Sequence, residues 1–194
     1  MKRPAKRTIE ALVIGASAGG IDALLALLKG LPRAAPYPVI IVVHLPEERE
    51  SRLAEVFGEH LGRRVLQAED KAMALDSSIY FAPPGYHLSI ERDRSFSLSQ
   101  EDPVNFSRPS IDVLMQSAAD AYGPSLCGML LTGASADGAA GLAAIGAAGG
   151  LTLVQDPLDA EIPTMPAAAI RLRQPDMILP LRELSTLLAT LENL

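Results

Sequence analysis

The residues with the clearest chemical potential form a glycine-rich turn around a serine. Gly15-Ala-Ser-Ala-Gly19 fits the G-x-S-x-G pattern, in which a tight turn lifts a serine to the tip of a parallel sheet. Small residues on both sides of Ser17 let the backbone turn without a Cβ clash. A serine in this setting is a candidate nucleophile, and it needs a base and an acid from elsewhere in the chain.

The chain has three histidines, and one of them stands where a base is expected. His44 follows the apolar run Val39–Val43, which is typical of a strand buried on both faces. Open α/β sheets place their sites at the carboxyl ends of such strands, so His44 is the preferred base. His60 falls within a predicted helix, where a solvated role is favoured, and His87 begins a hairpin strand, where a structural or substrate-contacting role is favoured.

Two aspartates stand at the ends of predicted strands. Asp137 lies between Gly133 and Gly138, in a loop whose backbone N–H groups are candidates to face a ligand. Asp156 precedes a proline, and an Asx-type turn explains it without chemistry. Asp137 is therefore the preferred acid, although a helix N-cap role fits it as well.

Other kinds of site fit this sequence less well. Ser17 occupies the second glycine of the dinucleotide pattern G-x-G-x-x-G, and no tyrosine is followed by lysine four residues later, as short-chain dehydrogenases require. No Gly-Lys-Ser/Thr P-loop occurs, and the single cysteine, Cys127, excludes an internal disulfide and a cysteine-based zinc site. We expect no cofactor and no metal. The order Ser17, His44, Asp137 argues against the ordinary α/β-hydrolase fold but not against its chemistry.

The elements that must position these residues alternate between strands and helices. This pattern predicts an α/β fold, a single doubly wound domain with a mostly parallel sheet, over 1–194 with 1–8 as an N-terminal tail. Alternating apolar and polar residues over 87–91 and 95–99 predict an added antiparallel β-hairpin. Further helices are predicted from a cap at Ser51, from Ser110 to about Tyr122, near 167–173, and at the C-terminal end up to Leu191.

Charge and hydropathy restrict the partners. The formal net charge of −6 argues against nucleic acid, because phosphate binding needs an excess of clustered Lys and Arg. No apolar run approaches the length of a membrane span, so membrane insertion is not expected. The basic N-terminus lacks a signal-peptide cleavage site, and a cytoplasmic protein is the expectation.

Five motifs then occur in the order of one known pattern. Together they resemble the catalytic domain of the chemotaxis protein-glutamate methylesterase family, CheB, from about Ile9 to Ser185. The motifs are Gly15-Ala-Ser-Ala-Gly-Gly20, Val43-His-Leu-Pro46, Tyr80-Phe-Ala-Pro-Pro-Gly85 with His87, Arg108-Pro-Ser-Ile-Asp-Val-Leu114 and Leu131-Thr-Gly-Ala-Ser-Ala-Asp-Gly-Ala-Ala-Gly-Leu142.

The resemblance implies a function for the three candidate residues. It implies a triad of Ser17, His44 and Asp137 that hydrolyses γ-glutamyl methyl esters on the cytoplasmic helices of methyl-accepting chemoreceptors and releases methanol. It also implies an activity that some members of the family have, the deamidation of receptor glutamines. The backbone N–H groups near Ala18 and around Ala134 are then candidates to hold the oxyanion.

Three arginines are candidate contacts to a Glu-rich receptor helix: Arg49, Arg52 and Arg108. A role as solvated surface charge or in local structure is an equally open interpretation for the first two.

The sequence departs from the family pattern at two points. The family usually has Thr-Gly-Met-Gly before the loop of the acid, whereas here Ala134-Ser135 follows Thr132-Gly133, and a positive φ at Ser135 would strain the loop. A non-catalytic receptor-binding homologue, and an esterase or amidase with a non-chemotactic substrate, therefore stay open. Family regulators also carry an N-terminal receiver domain, while about eight residues precede the first strand here. We expect a stand-alone member or a fragment, with no phosphorylation switch within this chain.

Overall fold

A computed structural model describes residues 8–44 and 52–191. The strands are β1 (Ala11–Ala16), β2 (Val39–Val43), β3 (Val65–Gln67), β4 (Ile79–Phe81), β5 (His87–Ile90), β6 (Phe96–Ser99), β7 (Leu126–Leu130), β8 (Leu151–Gln155) and β9 (Met177–Leu179). The α-helices are α1 (Gly20–Leu28), α2 (Leu53–Leu61), α3 (Ile111–Tyr122), α4 (Ala139–Ala147), α5 (Thr164–Leu172) and α6 (Leu181–Leu188).

Seven of these strands form one parallel sheet in the order β3-β4-β2-β1-β7-β8-β9. The remaining two, β5 and β6, pair as an antiparallel hairpin. The predicted α/β class, doubly wound with an added hairpin, is confirmed.

Apolar side chains cover both faces of the sheet, because successive residues of each buried strand point to opposite faces. On β1, Leu12 and Ile14 join the core formed with α1, α2 and α6, while Ala11 and Val13 join the core formed with α3, α4, α5 and the hairpin. This two-sided burial explains why the central strands are continuous apolar runs without alternation.

The direction in which the chain adds strands to the sheet reverses at β1, and this reversal determines where a ligand site is expected. From β1 the chain proceeds to β2 on one side, whereas β7 pairs with the other side. The register pairs Ala16 with Val43 and Gly15 with Leu130, so the three carboxyl ends meet at one edge. A ligand site is expected in the crevice outside this switch point.

Several helix boundaries were predicted well and others were not. Ser110 is the N-cap of α3, and its Oγ accepts from the N–H of Val113 at 3.5 Å. The predicted start of α5 near 167 is wrong, since the helix begins at Thr164 and holds Pro166 in its first turn, where proline is tolerated. The terminal helix ends at Leu188 and does not continue as α-helix to Leu191. The predicted cap at Ser51 lies outside the described residues.

None of the helices in 8–44 and 52–191 has the length and apolarity that a membrane crossing requires.

Candidate active site

Ser17 lies directly after β1, on a turn that backbone hydrogen bonds hold from both sides. Its N–H donates to the carbonyl of Thr132 at 3.0 Å, and its carbonyl accepts from the N–H of Gly20 at 2.8 Å. Gly19 has a φ of 74°, a left-handed conformation that glycine adopts without cost. The turn thus presents a partly buried serine at the N-terminus of α1.

His44 follows β2 and faces the same cleft as Ser17. Its backbone N–H donates to the carbonyl of Ala16 at 3.2 Å, which continues the pairing of β1 with β2 by one residue. Ser17, His44 and Glu161 all line a cleft of about 290 Å³. The parallel register therefore brings together the serine and the histidine that the sequence analysis selected.

Asp137 contacts the imidazole of His44. The Nε2 atom of His44 lies 2.8 Å from Oδ2 of Asp137, and the two side chains are 13% and 0% exposed. An ionised carboxylate only accepts hydrogen bonds, so Nε2 carries the proton and donates a hydrogen bond to Asp137. Nδ1 of His44 is consequently the basic nitrogen.

The carboxylate of Asp137 is held by the N-terminus of α3 as well as by His44. Backbone N–H groups at a helix N-terminus favour a negative charge, and the cap residue of this helix adds its hydroxyl. Besides His44, the donors are the N–H of Ile111 at 2.6 Å, the Oγ of Ser110 at 2.8 Å, the Nδ2 of Asn105 at 3.0 Å and the N–H of Asp112 at 3.2 Å.

These donors decide the charge of Asp137. Burial raises its pKa, but the hydrogen bonds from His44, Asn105, Ile111 and Ser110 outweigh burial, and the net pKa lies below the usual value for aspartate. The carboxylate is therefore ionised at neutral pH. It fixes the orientation of the imidazole and stabilises an imidazolium, as the acid of a serine-hydrolase triad does.

Asn105 and Asp112 belong to the site, although the sequence analysis did not select them. The amide of Asn105 donates to Oδ2 of Asp112 at 2.8 Å as well as to Asp137. Asp112 is buried and also accepts from the N–H of Gly141 at 2.6 Å. Burial, together with the charge of Asp137, raises the pKa of Asp112. Two neighbouring carboxylates thus share one bridging amide.

The backbone offers two donors for an oxyanion. Among the residues that the structure describes, the N–H groups of Ala18 and Ala134 donate to no protein acceptor, whereas the N–H of Gly133 donates to the carbonyl of Ile162 at 3.0 Å. Ser135 does not have a positive φ, so the strain considered for this position does not arise. Its Oγ instead accepts from the N–H of Asp137 at 3.3 Å.

Two of the three predicted arginine contacts have local partners. Arg108 donates to the carbonyls of Gln100 and Glu101 at 3.2 and 3.1 Å, which ties down the connector before α3. Arg52 forms an exposed ion pair with Glu55 at 2.7 Å. Arg49 lies outside the described residues. A substrate contact for Arg108 stays a prediction.

The other two histidines have separate surroundings. His87 is buried, and its Nδ1 accepts from the N–H of Ser110 at 3.1 Å while Nε2 donates to the carbonyl of Asp102 at 3.1 Å. It therefore supports the cap residue that contacts Asp137. The ring of His60 contacts the carbonyl of Val56 on its own helix at 3.0 Å.

A serine, a histidine and an aspartate gathered at the carboxyl edge of a parallel α/β sheet form the arrangement that serine hydrolases use. Comparison with known families identifies the family within this class. The model of the CheB methylesterase family matches residues 12–188, and the chain belongs to that family.

Individual relatives agree with this membership. A protein of Leptospira interrogans, named provisionally as a protein-glutamate methylesterase/protein-glutamine glutaminase, is 43% identical over 184 residues, with 95% of each chain covered. A Hahella chejuensis protein-glutamate methylesterase/protein-glutamine glutaminase 1 is 38% identical over 181 residues, which are 92% of this chain and 50% of that protein. The crystal structure of the Thermotoga maritima CheB methylesterase catalytic domain matches with a TM-score of 0.87 at 28% identity, covering 95% of this chain and 99% of that one.

Proposed function

We propose that this chain is a serine esterase that hydrolyses γ-methyl esters of glutamyl residues on the cytoplasmic helices of chemoreceptors. The observation that carries the proposal is the cleft at the switch point, which Ser17 and His44 both line and where His44 is hydrogen-bonded to an ionised Asp137. Family membership and the activities in the names of the relatives supply the substrate class. The same proposal places the protein in the cytoplasm, beside those receptor helices.

In the first step, Oγ of Ser17 attacks the carbonyl carbon of the ester. The proton of Oγ passes to Nδ1 of His44, because Nε2 is already hydrogen-bonded to Asp137. The ionised Asp137 stabilises the imidazolium that forms. The methoxide then leaves as methanol after His44 returns the proton to it.

The developing oxyanion needs donors that are in place before the reaction. The N–H groups of Ala18 and Ala134 are the candidates, and the N-terminus of α1, directly after Ser17, adds its positive end. One such donor is worth about 10²–10³ in kcat. A backbone donor does not depend on the side chain, so Ala134 can serve where the family usually has methionine.

Water completes the reaction at the acyl-serine. His44 removes a proton from the water as the water oxygen bonds to the acyl carbon, and it then returns that proton to Oγ of Ser17 as the bond between Oγ and the acyl carbon breaks and the glutamate side chain is released. Deamidation of a glutamine follows the same steps with ammonia as the leaving group.

The test is release of methanol from receptor membranes whose glutamyl residues carry labelled methyl groups. The native protein should release label, and Ser17→Ala should lower the rate about 10⁴-fold or more, as removal of a triad nucleophile does. Ser99→Ala is the matched control, since this serine lies on β6 of the hairpin.

Retained turnover in Ser17→Ala contradicts the assignment of the nucleophile. A native protein that binds the membranes but releases no methanol would instead support the non-catalytic receptor-binding alternative.

A further inference from the structure

Glu161 places a carboxylate beside the candidate nucleophile, and the proposed reaction does not use it. The residue lies in the loop between β8 and α5, and its side chain lies along the turn that holds Ser17. A Cβ added to Gly19 would be 2.6 Å from Oε2 of Glu161 and 3.0 Å from its Cβ. The carboxylate thus covers one side of the Ser17 turn.

The described residues that line the cleft carry a net negative charge. Glu161 and Asp22 both line it, and none of its described lining residues is a lysine or an arginine. Asp22 lies in the first turn of α1, where the N-terminus of the helix offsets its charge. Glu161 lies against Gly19, the N-cap of the same helix, and no residue within 8–44 and 52–191 forms an ion pair or a hydrogen bond with its carboxylate.

Burial does not account for a glutamate at this position. Glu161 is exposed, so it adds little apolar area to the core. Its side chain lies so close to Gly19 that a Cβ at position 19 would require the carboxylate of Glu161 to shift. A carboxylate that none of the described residues pairs with, beside a reacting centre, acts on whatever charge enters the cleft.

We propose that Glu161 determines the charge selectivity of the cleft, so that neutral acyl groups enter and anionic ones are rejected. The inference deepens the proposed function and rests on it for the identity of the substrate. Hydrolysis converts a neutral γ-methyl ester into a γ-carboxylate at the same position. Glu161 therefore repels the product but not the substrate, which speeds release and prevents demethylated receptor from occupying Ser17.

The expected size of this selectivity follows from the repulsion between two unit negative charges, one on Glu161 and one on the acyl group. At an assumed separation of about 7 Å, this repulsion changes a binding constant about threefold in bulk water and about fiftyfold at an effective dielectric constant near 20. An open cleft lies between these limits, so we expect an effect on the order of tenfold. Salt should reduce it, because the cleft is accessible to ions.

The experiment compares a neutral ester, 4-nitrophenyl acetate, with an anionic one, mono-4-nitrophenyl glutarate. The measured quantity is the ratio of kcat/KM for the anionic ester to kcat/KM for the neutral ester. Glu161→Gln should raise this ratio on the order of tenfold at low ionic strength and less at 0.5 M salt. Glu183→Gln is the matched control, since this exposed glutamate lies in the first turn of α6. Ser17→Ala supplies the background rate.

The outcomes separate the inference from the proposed function. An unchanged ratio in Glu161→Gln, with Ser17-dependent ester hydrolysis and receptor demethylation intact, overturns the charge selectivity alone. A raised ratio in a protein that demethylates no receptor supports the selectivity of the cleft and refutes the receptor substrate. Absence of Ser17-dependent hydrolysis of both esters contradicts both.

Discussion

Replacement of Asn105 by glycine tests the bridge between the two carboxylates beside His44. Asn105 has a φ of 51°, and its amide donates to Asp112 and to Asp137 at 2.8 and 3.0 Å. Glycine keeps the left-handed backbone without strain and removes only the amide. The variant thus leaves Asp112 and Asp137 facing each other without the shared donor.

The magnitude follows from the two hydrogen bonds. A hydrogen bond to a charged group contributes about 1.5–3 kcal/mol. The residue is exposed on its outer side, so water replaces part of the loss and the lower end applies. We expect Asn105→Gly to lower the free energy of unfolding by about 3 kcal/mol at neutral pH.

The loss of unfolding free energy in Asn105→Gly should depend on pH in a defined direction. Loss of the amide raises the folded-state pKa of both Asp112 and Asp137, because it removes a donor to each charged form. A raised pKa means that the folded variant binds more protons, so its stability relative to the native protein improves as pH falls. The difference between the two proteins should be largest at neutral pH and narrow on acidification.

Urea unfolding of the native protein and of Asn105→Gly, at neutral and at acidic pH, measures both effects. Phe106→Gly is the matched control, because it adds a glycine at the next left-handed position and removes no hydrogen bond. Ser17-dependent ester hydrolysis should also fall about tenfold in Asn105→Gly, since a donor to Asp137 is lost. Equal stability of the two glycine variants, or a difference that grows as pH falls, would refute the bridging role.

Two further substitutions probe the loops around the site. Phe106 has a φ of 62° and a fully exposed side chain, so Phe106→Gly should leave the free energy of unfolding unchanged or raise it by up to about 1 kcal/mol, measured by urea unfolding. A Cβ at Gly133 would lie 2.9 Å from the Cβ of Ser17 and 2.7 Å from Cε of Met165. Gly133→Ala should therefore displace the serine and lower kcat more than tenfold, with about 1–3 kcal/mol of destabilisation. Gly58→Ala, which meets nothing nearer than 3.7 Å, is its control, and equal kcat values would contradict the prediction.

The sequence was sufficient to predict the fold class and to select residues that lie at one edge of the sheet. Ser17 and His44 each follow a continuous apolar strand, and parallel strands bring their carboxyl ends to one edge. The position of the site then depends only on which strands are neighbours. Asp137 could be preferred over Asp156 by the glycines around it, and it lies after β7, the other neighbour of β1.

Asn105 and Glu161 could not be predicted, because their roles depend on contacts between distant segments. Asn105 lies in a polar connector without periodicity, and only the packing of that connector against α3 brings its amide to Asp137. Glu161 lies in a loop more than 140 residues after the turn that it covers. Local patterns identify a strand end or a helix cap, but not which loop will fold over it.

Covalent labelling shows whether Ser17 is an activated nucleophile. A fluorophosphonate probe reacts with an activated serine, and peptide mass spectrometry locates the bond that forms between phosphorus and oxygen. We expect labelling of Ser17 with one probe per chain, no labelling in Ser17→Ala, and a rate that falls more than about a hundredfold in His44→Gln. Labelling at another serine, or an unchanged rate without the His44 imidazole, would contradict this role of Ser17.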